Sequence, residues 1–314
     1  MNLYELIKII YNINNSYIIL GNLQMEYSAL EHFNLGDKYH SAKDYKTAFL
    51  HYKIANELHR ATLEYSIEDH EKMVDGIIKL FTKENIELAK ANNKGNDSSK
   101  PVFIVGMCRS GSSVLEQMLD LHPSISGIGE SKLLAENADL TNLTKWSNDY
   151  ISAIECDSDR IVNKQLYNYL CIGLIHIMFP NAKIIHTKRN PLETLFSCWK
   201  LKFLESAEWS YTFEELARYY KSYVKLMQHW KDVCPDAFIE VQYEDLVLDQ
   251  LDTLRVICEY INVEFDAKMM YNENNTKECF TASAQQVTKP LYKSSLNTSD
   301  NYKKDLQELI TLLN

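Results

Sequence analysis

The rhythm of apolar and polar positions changes near residue 100. Up to residue 91 apolar side chains recur at helical spacing and no proline interrupts them. The first stretch is apolar in patches, Leu6-Ile7-Lys8-Ile9-Ile10 and Tyr17-Ile18-Ile19-Leu20, broken by Lys8, Asn12, Asn14 and Asn15. No small-residue cleavage site follows, so it reads as a helix, not a signal peptide or membrane span. Asn92-Asn93-Lys94-Gly95-Asn96-Asp97-Ser98-Ser99-Lys100 then breaks every period and reads as a linker. Beyond it, short β-branched runs replace helical spacing. Val102-Phe103-Ile104-Val105, Lys183-Ile184-Ile185-His186 and Phe238-Ile239-Glu240-Val241 predict buried parallel strands. Helical patterns over Gln165–Met178 and Phe213–Val233 lie between them, and a closing helix is expected near Lys303–Leu313. Strands alternating with helices predict an α/β fold with a parallel sheet flanked by helices. The expected division is a helical segment at 1–91, a linker at 92–100 and an α/β domain at 101–314.

In the helical segment, Leu35, Gly36, Tyr39, Ala48, Tyr52 and Ala55 keep the spacing of a tetratricopeptide helical hairpin. Gly36 and Ala48 would let two helices approach, with Leu35, Tyr39 and Tyr52 filling the seam. The proline that often closes this repeat is replaced by Arg60. One repeat cannot bury its own faces, so it is expected to pack on the rest of the chain or on a helical segment built from residues 1–28, and a protein partner could bind through the helical segment.

Composition narrows the chemistry. The 314 residues carry a formal charge of −10, which argues against general nucleic-acid binding but leaves room for a local basic pocket. Seven scattered cysteines include no CxxC pair, so neither a disulfide framework nor a zinc site is expected. A reducing, cytoplasmic setting fits that usage.

The most specific signal follows the first strand. Gly106-Met107-Cys108-Arg109-Ser110-Gly111-Ser112-Ser113 joins Val102–Val105 to an apolar helix bearing Val114, Leu115, Met118 and Leu119. Two glycines with four residues between them, placed between strand and helix, suit a loop that turns backbone N–H groups and a helix N-terminus toward an anion. A nucleotide kinase would need a lysine after Gly111 and a bound Mg²⁺. Ser112 stands there instead, and Arg109 supplies the cation. A sulfuryl group, less charged than a γ-phosphate, can be served by such a loop without a metal.

Together with His122-Pro123, Gly129-Glu130, Lys188-Arg189-Asn190-Pro191, Tyr243-Glu244-Asp245-Leu246-Val247 and Thr281-Ala282-Ser283-Ala284-Gln285-Gln286-Val287, this loop resembles the sulfotransferases that use 3′-phosphoadenosine 5′-phosphosulfate (PAPS). The bacterial tetratricopeptide sulfotransferases, similar to tyrosylprotein sulfotransferases, are the nearest group. The resemblance implies that Arg109, Ser110, Gly111, Ser112 and Ser113 hold the 5′-phosphosulfate. It implies that Arg189 and Ser197 grip the 3′-phosphate and that Tyr243 lies near the nucleotide. It makes Glu130 the general base, with Lys164 and Ser283 stabilising the leaving phosphate. His122 is the rival base, because cytosolic relatives use histidine. The acceptor stays open among protein tyrosine, saccharide, lipid and small molecule.

The sequence also departs from the family. Cys108 replaces a proline, Ser112 and Ser113 replace threonines, and Asn163 and Leu166 replace an aspartate and a proline. Thr298 and Ser299 stand where a basic residue and a tryptophan are usual. Lys293, and after it Lys289, are the candidates to replace that cation. A P-loop kinase and a tetratricopeptide interaction protein with a degenerate domain are the two alternatives.

Overall fold

A computed structural model describes residues 20–136, 139, 141–203, 207–277, 289–291, 293 and 296–314. Among these, five parallel strands form one sheet in the order β2-β3-β1-β4-β5. They are β1 (Pro101–Gly106), β2 (Ile125–Gly127), β3 (Arg160–Asn163), β4 (Lys183–Lys188) and β5 (Phe238–Gln242). The central β1 pairs with β3 through Pro101 and Ile161 and with β4 through Val102 and Lys183. The expected α/β architecture with a parallel sheet and an N-terminal helical segment is therefore present.

Besides a single turn at Leu133–Glu136, the helices among the described residues, in chain order, are α1 (Leu20–Ser41), α2 (Tyr45–Arg60), α3 (Ile67–Leu80), α4 (Lys83–Asn92), α5 (Ser112–Asp120), α6 (Leu143–Ser152), α7 (Ile172–Met178), α8 (Pro191–Trp199), α9 (Phe213–Val233), α10 (Tyr243–Leu248), α11 (Gln250–Tyr260) and the expected closing helix α12 (Gln307–Leu313). The chain divides into two compact units. One holds Gly76–Arg189 and Leu226–Lys293. The other holds the described residues of 12–75, 190–225 and 294–314.

In the first unit the sheet is covered on both faces, which is why β1 reads as an uninterrupted apolar run. Val102 and Ile104 join Leu115, Met118, Leu119, Leu254 and Ile257 in one core. Phe103, of opposite parity, meets Tyr150 and Phe179, each with ring centroids 6.0 Å away. The helix expected over Gln165–Met178 is in fact a 3₁₀ segment, Leu166–Cys171, followed by α7. The tighter turn precedes Gly173, where a Cβ would lie 2.7 Å from the Phe81 ring and 2.8 Å from Trp230. Two strands were not foreseen. β2 has three residues and β3 four, too short for an alternating pattern to register.

In the second unit α1 and α2 form an antiparallel hairpin. Ala48, Tyr52 and Ala55 are fully buried, and a Cβ on Gly36 would meet the Tyr52 ring at 2.5 Å. Tyr52 donates to Asp37 at 2.7 Å. Leu35 and Tyr39 are only half-buried, and Tyr39 stacks on His51. Arg60, in the place of the usual proline, makes a two-pronged bond to Glu215 at 2.9 and 2.8 Å and donates to the Leu63 and Tyr65 carbonyls. It thereby ties the end of α2 to the following turn and to α9.

Gly36→Val is expected to destabilise the protein. Valine adds bulk against a fixed, hydrogen-bonded ring, and overpacking of this kind costs about 1–3 kcal/mol. The slightly better helix propensity of valine does not offset it. Denaturant titration should show a lower midpoint with an unchanged slope. An unchanged midpoint would mean that the close approach of α1 and α2 is not tight.

Candidate functional site

The loop after β1 is bent by two left-handed backbone positions, Arg109 at φ 68° and Gly111 at φ 92°. A left-handed arginine is a strained conformation, the kind that persists where surroundings over-determine it. One constraint is visible. Ser110 is buried, and its Oγ lies 2.7 Å from the Thr187 Oγ1 at the end of β4. Gly111 is the N-cap of α5 and provides no side-chain cap, so α5 begins with backbone N–H groups that no cap side chain takes. Ser112 and Ser113 open this helix and are buried.

The second element is the turn after β2. Ile128 donates to the Val162 carbonyl at 2.8 Å, and the Lys164 N–H donates to the Gly129 carbonyl at 2.9 Å. These bonds bring the ends of β2 and β3 side by side. Lys164 is 0% exposed and Glu130 43% exposed, and Nζ meets Oε1 at 2.5 Å. The pairing is required physically, since an ammonium removed from water without a counter-charge costs several kcal/mol. Cys108, in the loop opposite, is pushed up to about 11 by desolvation and by the charge of Glu130, so it is a neutral thiol near pH 7.

The third element comes from β4 and β5. Arg189 follows β4 directly, and its Nη1 donates to the Arg109 carbonyl at 3.1 Å. Its guanidinium lies 4.9 Å from the centre of the Tyr243 ring. Tyr243 begins α10 straight after β5. Its ring fills the space that a Cβ on Gly111 would need, 2.2 Å away. The backbone bend at Gly111 and the cation–aromatic pair thus interlock.

Arg109, Glu130, Lys164, Arg189 and Tyr243 each follow the carboxyl end of a different strand. The sheet therefore brings these five expected residues to one edge, where α/β folds bind ligands. His122 lies elsewhere, before β2 at the amino edge. Its Nε2 donates to the Glu264 carbonyl at 2.8 Å, and its Nδ1 accepts from the Ser124 N–H at 3.1 Å. Both ring nitrogens are taken by backbone.

Ser197 stands half-buried on α8 in the second unit. In that unit the Ser299 N–H donates to the buried Glu193 carboxylate at 2.8 Å. Lys289 and Lys293 are exposed, and the Lys289 carbonyl accepts from Asn272 at 2.8 Å. Ser283 and the motif 281–287 lie outside the described residues. Among the described residues, no group of three or more His, Cys, Asp or Glu side chains is gathered for a metal ion. Nor is any described helix long and apolar enough to cross a membrane.

Sequence reasoning missed Thr187 and two carboxylates, Glu116 and Asp120. Glu116 is 5% exposed and accepts from the Gly129 N–H at 2.8 Å. Asp120 accepts from the Gly127 N–H at 2.6 Å. The available signal was a pair of acids four residues apart on a helix that also carries Val114, Leu115, Met118 and Leu119.

The profile of the sulfotransferase family matches residues 101–157 and 140–267, and the chain belongs to that family. It is 27% identical over 301 residues to an uncharacterized protein of Aquifex aeolicus, covering 86% of this chain and 39% of that protein. It is 23% identical over 227 residues to protein-tyrosine sulfotransferase A of Caenorhabditis elegans, covering 62% of this chain and 60% of that protein. The chain thus spans less than two thirds of the length of either relative. The sulfotransferase domain of the Synechococcus PCC 7002 olefin synthase shares its fold, with a TM-score of 0.51 and 19% identity, over 70% of this chain and 96% of that one.

Two positive-φ glycines give a paired test. Gly129, at φ 66°, has open space around an added Cβ, whereas Gly111 has the Tyr243 ring. Asparagine tolerates the left-handed region, so Gly129→Asn should cost under about 1 kcal/mol. Gly111→Ala combines backbone strain with a clash and should cost about 1–3 kcal/mol. Thermal unfolding of the two variants should rank them in that order, and the reverse ranking would contradict the loop geometry.

Proposed function

We propose that this protein is a PAPS-dependent sulfotransferase and that the carboxyl edge of its sheet is the transfer site. The observation that carries the reading is the grouping of a phosphate-type loop, an arginine beside it and a paired lysine and glutamate on one edge. The residues suit the donor. The start of α5, without a side-chain cap, suits the 5′-phosphosulfate. Arg109 and the hydroxyls of Ser110, Ser112 and Ser113 add donors to the same end. Arg189, next to a tyrosine ring, suits the 3′-phosphate and the nucleotide. Ser197, Ser283, Lys289 and Lys293 enter the proposal through the resemblance.

In the reaction the acceptor oxygen attacks sulfur, its proton passes to Glu130, and the bond from sulfur to the phosphate oxygen breaks. Adenosine 3′,5′-bisphosphate leaves, and the Lys164 ammonium meets the charge growing on its oxygen. The ion pair at 2.5 Å holds both groups beside each other before the donor arrives. The donor's negative charge then gives Lys164 a second partner. No metal takes part in this reading. An acidic tyrosine peptide is a reasonable first acceptor, because a similar worm protein carries the name protein-tyrosine sulfotransferase. The tetratricopeptide reading of 1–91, the linker at 92–100, the transferase domain at 101–314 and a cytoplasmic setting complete the proposal.

The test is transfer of label from radiolabelled PAPS to a panel of acidic tyrosine peptides, saccharides, lipids and a host metabolite extract. Arg109→Ala should abolish transfer while leaving the fold intact. Glu130→Gln should lower kcat by roughly 10²-fold or more, the scale of general base catalysis, with little change in donor binding. His122→Ala should retain kcat, since both its nitrogens serve the backbone. A fully active Glu130→Gln beside an inactive but folded His122→Ala would reassign the base.

A further inference from the structure

The turn that carries Glu130 is tied to β3 on one side, by the Ile128 N–H to the Val162 carbonyl, the Lys164 N–H to the Gly129 carbonyl and the Lys164–Glu130 pair. Gly127 and Gly129 lead into Glu130, Gly129 is left-handed at φ 66°, and a Cβ added at Gly129 would meet open space. The turn's other anchor is α5, the helix behind the phosphate loop. Glu116 and Asp120 lie one helical turn apart on its face and reach across to β2. The Glu116 Oε1 accepts the Gly129 N–H at 2.8 Å, and the Asp120 Oδ1 accepts the Gly127 N–H at 2.6 Å. Lys277 closes the arrangement by donating to Asp120 at 3.0 Å and to the Gly127 carbonyl. Asn275 adds a bond to the Asp120 Oδ2 at 3.0 Å and one to the Gln117 carbonyl at 3.1 Å.

From these bonds we infer that Glu116, assisted by Asp120, is a positioning residue that sets the place of Glu130 relative to Lys164 and the donor loop. The inference rests on the sulfotransferase reading for its catalytic meaning, but its geometry stands apart from it. A carboxylate that is only 5% exposed is costly unless hydrogen-bonded, and the Gly129 N–H is the bond Glu116 makes here. Burial holds the Glu116 carboxyl above the usual carboxylate range, opposed by the nearby Lys164 ammonium and the Gly129 N–H. The same Lys164 is thus bonded to Glu130 and feels the charge of Glu116. One end of α5 begins at the loop expected to hold the donor, and its body holds the backbone of the base. Donor site and base therefore share a rigid element, as near-attack geometry requires.

Glu116→Gln keeps an oxygen acceptor for the Gly129 N–H, and Glu116→Ala removes it. The clamp predicts that Glu116→Ala lowers kcat roughly 10- to 100-fold, the scale of an ångström-level misplacement. Affinity for adenosine 3′,5′-bisphosphate should stay within about twofold, and Glu116→Gln should recover most of the loss. Amide hydrogen exchange over residues 125–131 should speed up in Glu116→Ala and stay near wild type in Glu116→Gln. That second readout needs no acceptor or donor. Unchanged exchange in Glu116→Ala overturns the clamp whatever the activity. Equal kcat losses in the alanine and glutamine variants overturn it as well, because they point to charge and not to position. If wild type itself transfers no label from PAPS and does not bind the bisphosphate, the sulfotransferase reading fails, and the exchange result still judges the clamp.

Discussion

A lysine with no exposed surface sits at the end of β3, and its charge is the constraint on which the carboxyl edge of the sheet depends. Taking an ammonium out of water is tolerable only with an opposite charge and well-made hydrogen bonds. Glu130 supplies the charge at 2.5 Å. The lysine's own backbone N–H ties to the Gly129 carbonyl, and Gly129 in turn donates to Glu116. The side chain that needs a partner and the backbone that delivers it are thus linked through three successive bonds. Truncating either member of such a pair strands the other, which makes the arrangement costly to disturb and well suited to fixed geometry.

The parallel sheet converts this local arrangement into a site. Each strand runs the same way, so the residue following each strand arrives at the same edge. β1 delivers the bent loop, β2 the glutamate, β3 the lysine, β4 the arginine and β5 the tyrosine. The contacts among them are direct. Arg189 bonds the Arg109 carbonyl, Tyr243 covers Gly111, and Ser110 meets Thr187. A left-handed arginine would be poorly tolerated in a loop without such neighbours. Here the surroundings hold it, and that strain is part of the reason for reading the loop as functional.

Much of this was legible in the sequence. The strand at Val102–Val105, the loop with glycines at 106 and 111, and the cation at Arg109 are local signals with a physical meaning at short range, whereas Arg189 was assigned through family resemblance. Glu130 and Lys164 were legible only through family resemblance. They stand 34 positions apart in the chain, and nothing nearby marks a glutamate after a glycine or a lysine after an asparagine. β2 and β3 escaped because three- and four-residue strands carry no measurable period. The 3₁₀ segment at Leu166–Cys171 escaped because apolar spacing looks alike in a helix and in a tighter turn that leads into one. Glu116 and Asp120 looked like ordinary polar positions on α5. Their partners are backbone N–H groups, and a sequence does not reveal where those are aimed.

The central claim is that this edge binds an adenosine carrying a 3′-phosphate and a 5′-phosphosulfate, not a nucleoside triphosphate with magnesium. Calorimetric titration of the whole chain with adenosine 3′,5′-bisphosphate and, separately, with ATP and Mg²⁺ tests it most directly. The account predicts saturable one-to-one binding of the bisphosphate that ATP with Mg²⁺ does not displace, and loss of that binding in Arg189→Ala. Tight binding of ATP that requires Mg²⁺, with none for the bisphosphate, would contradict it.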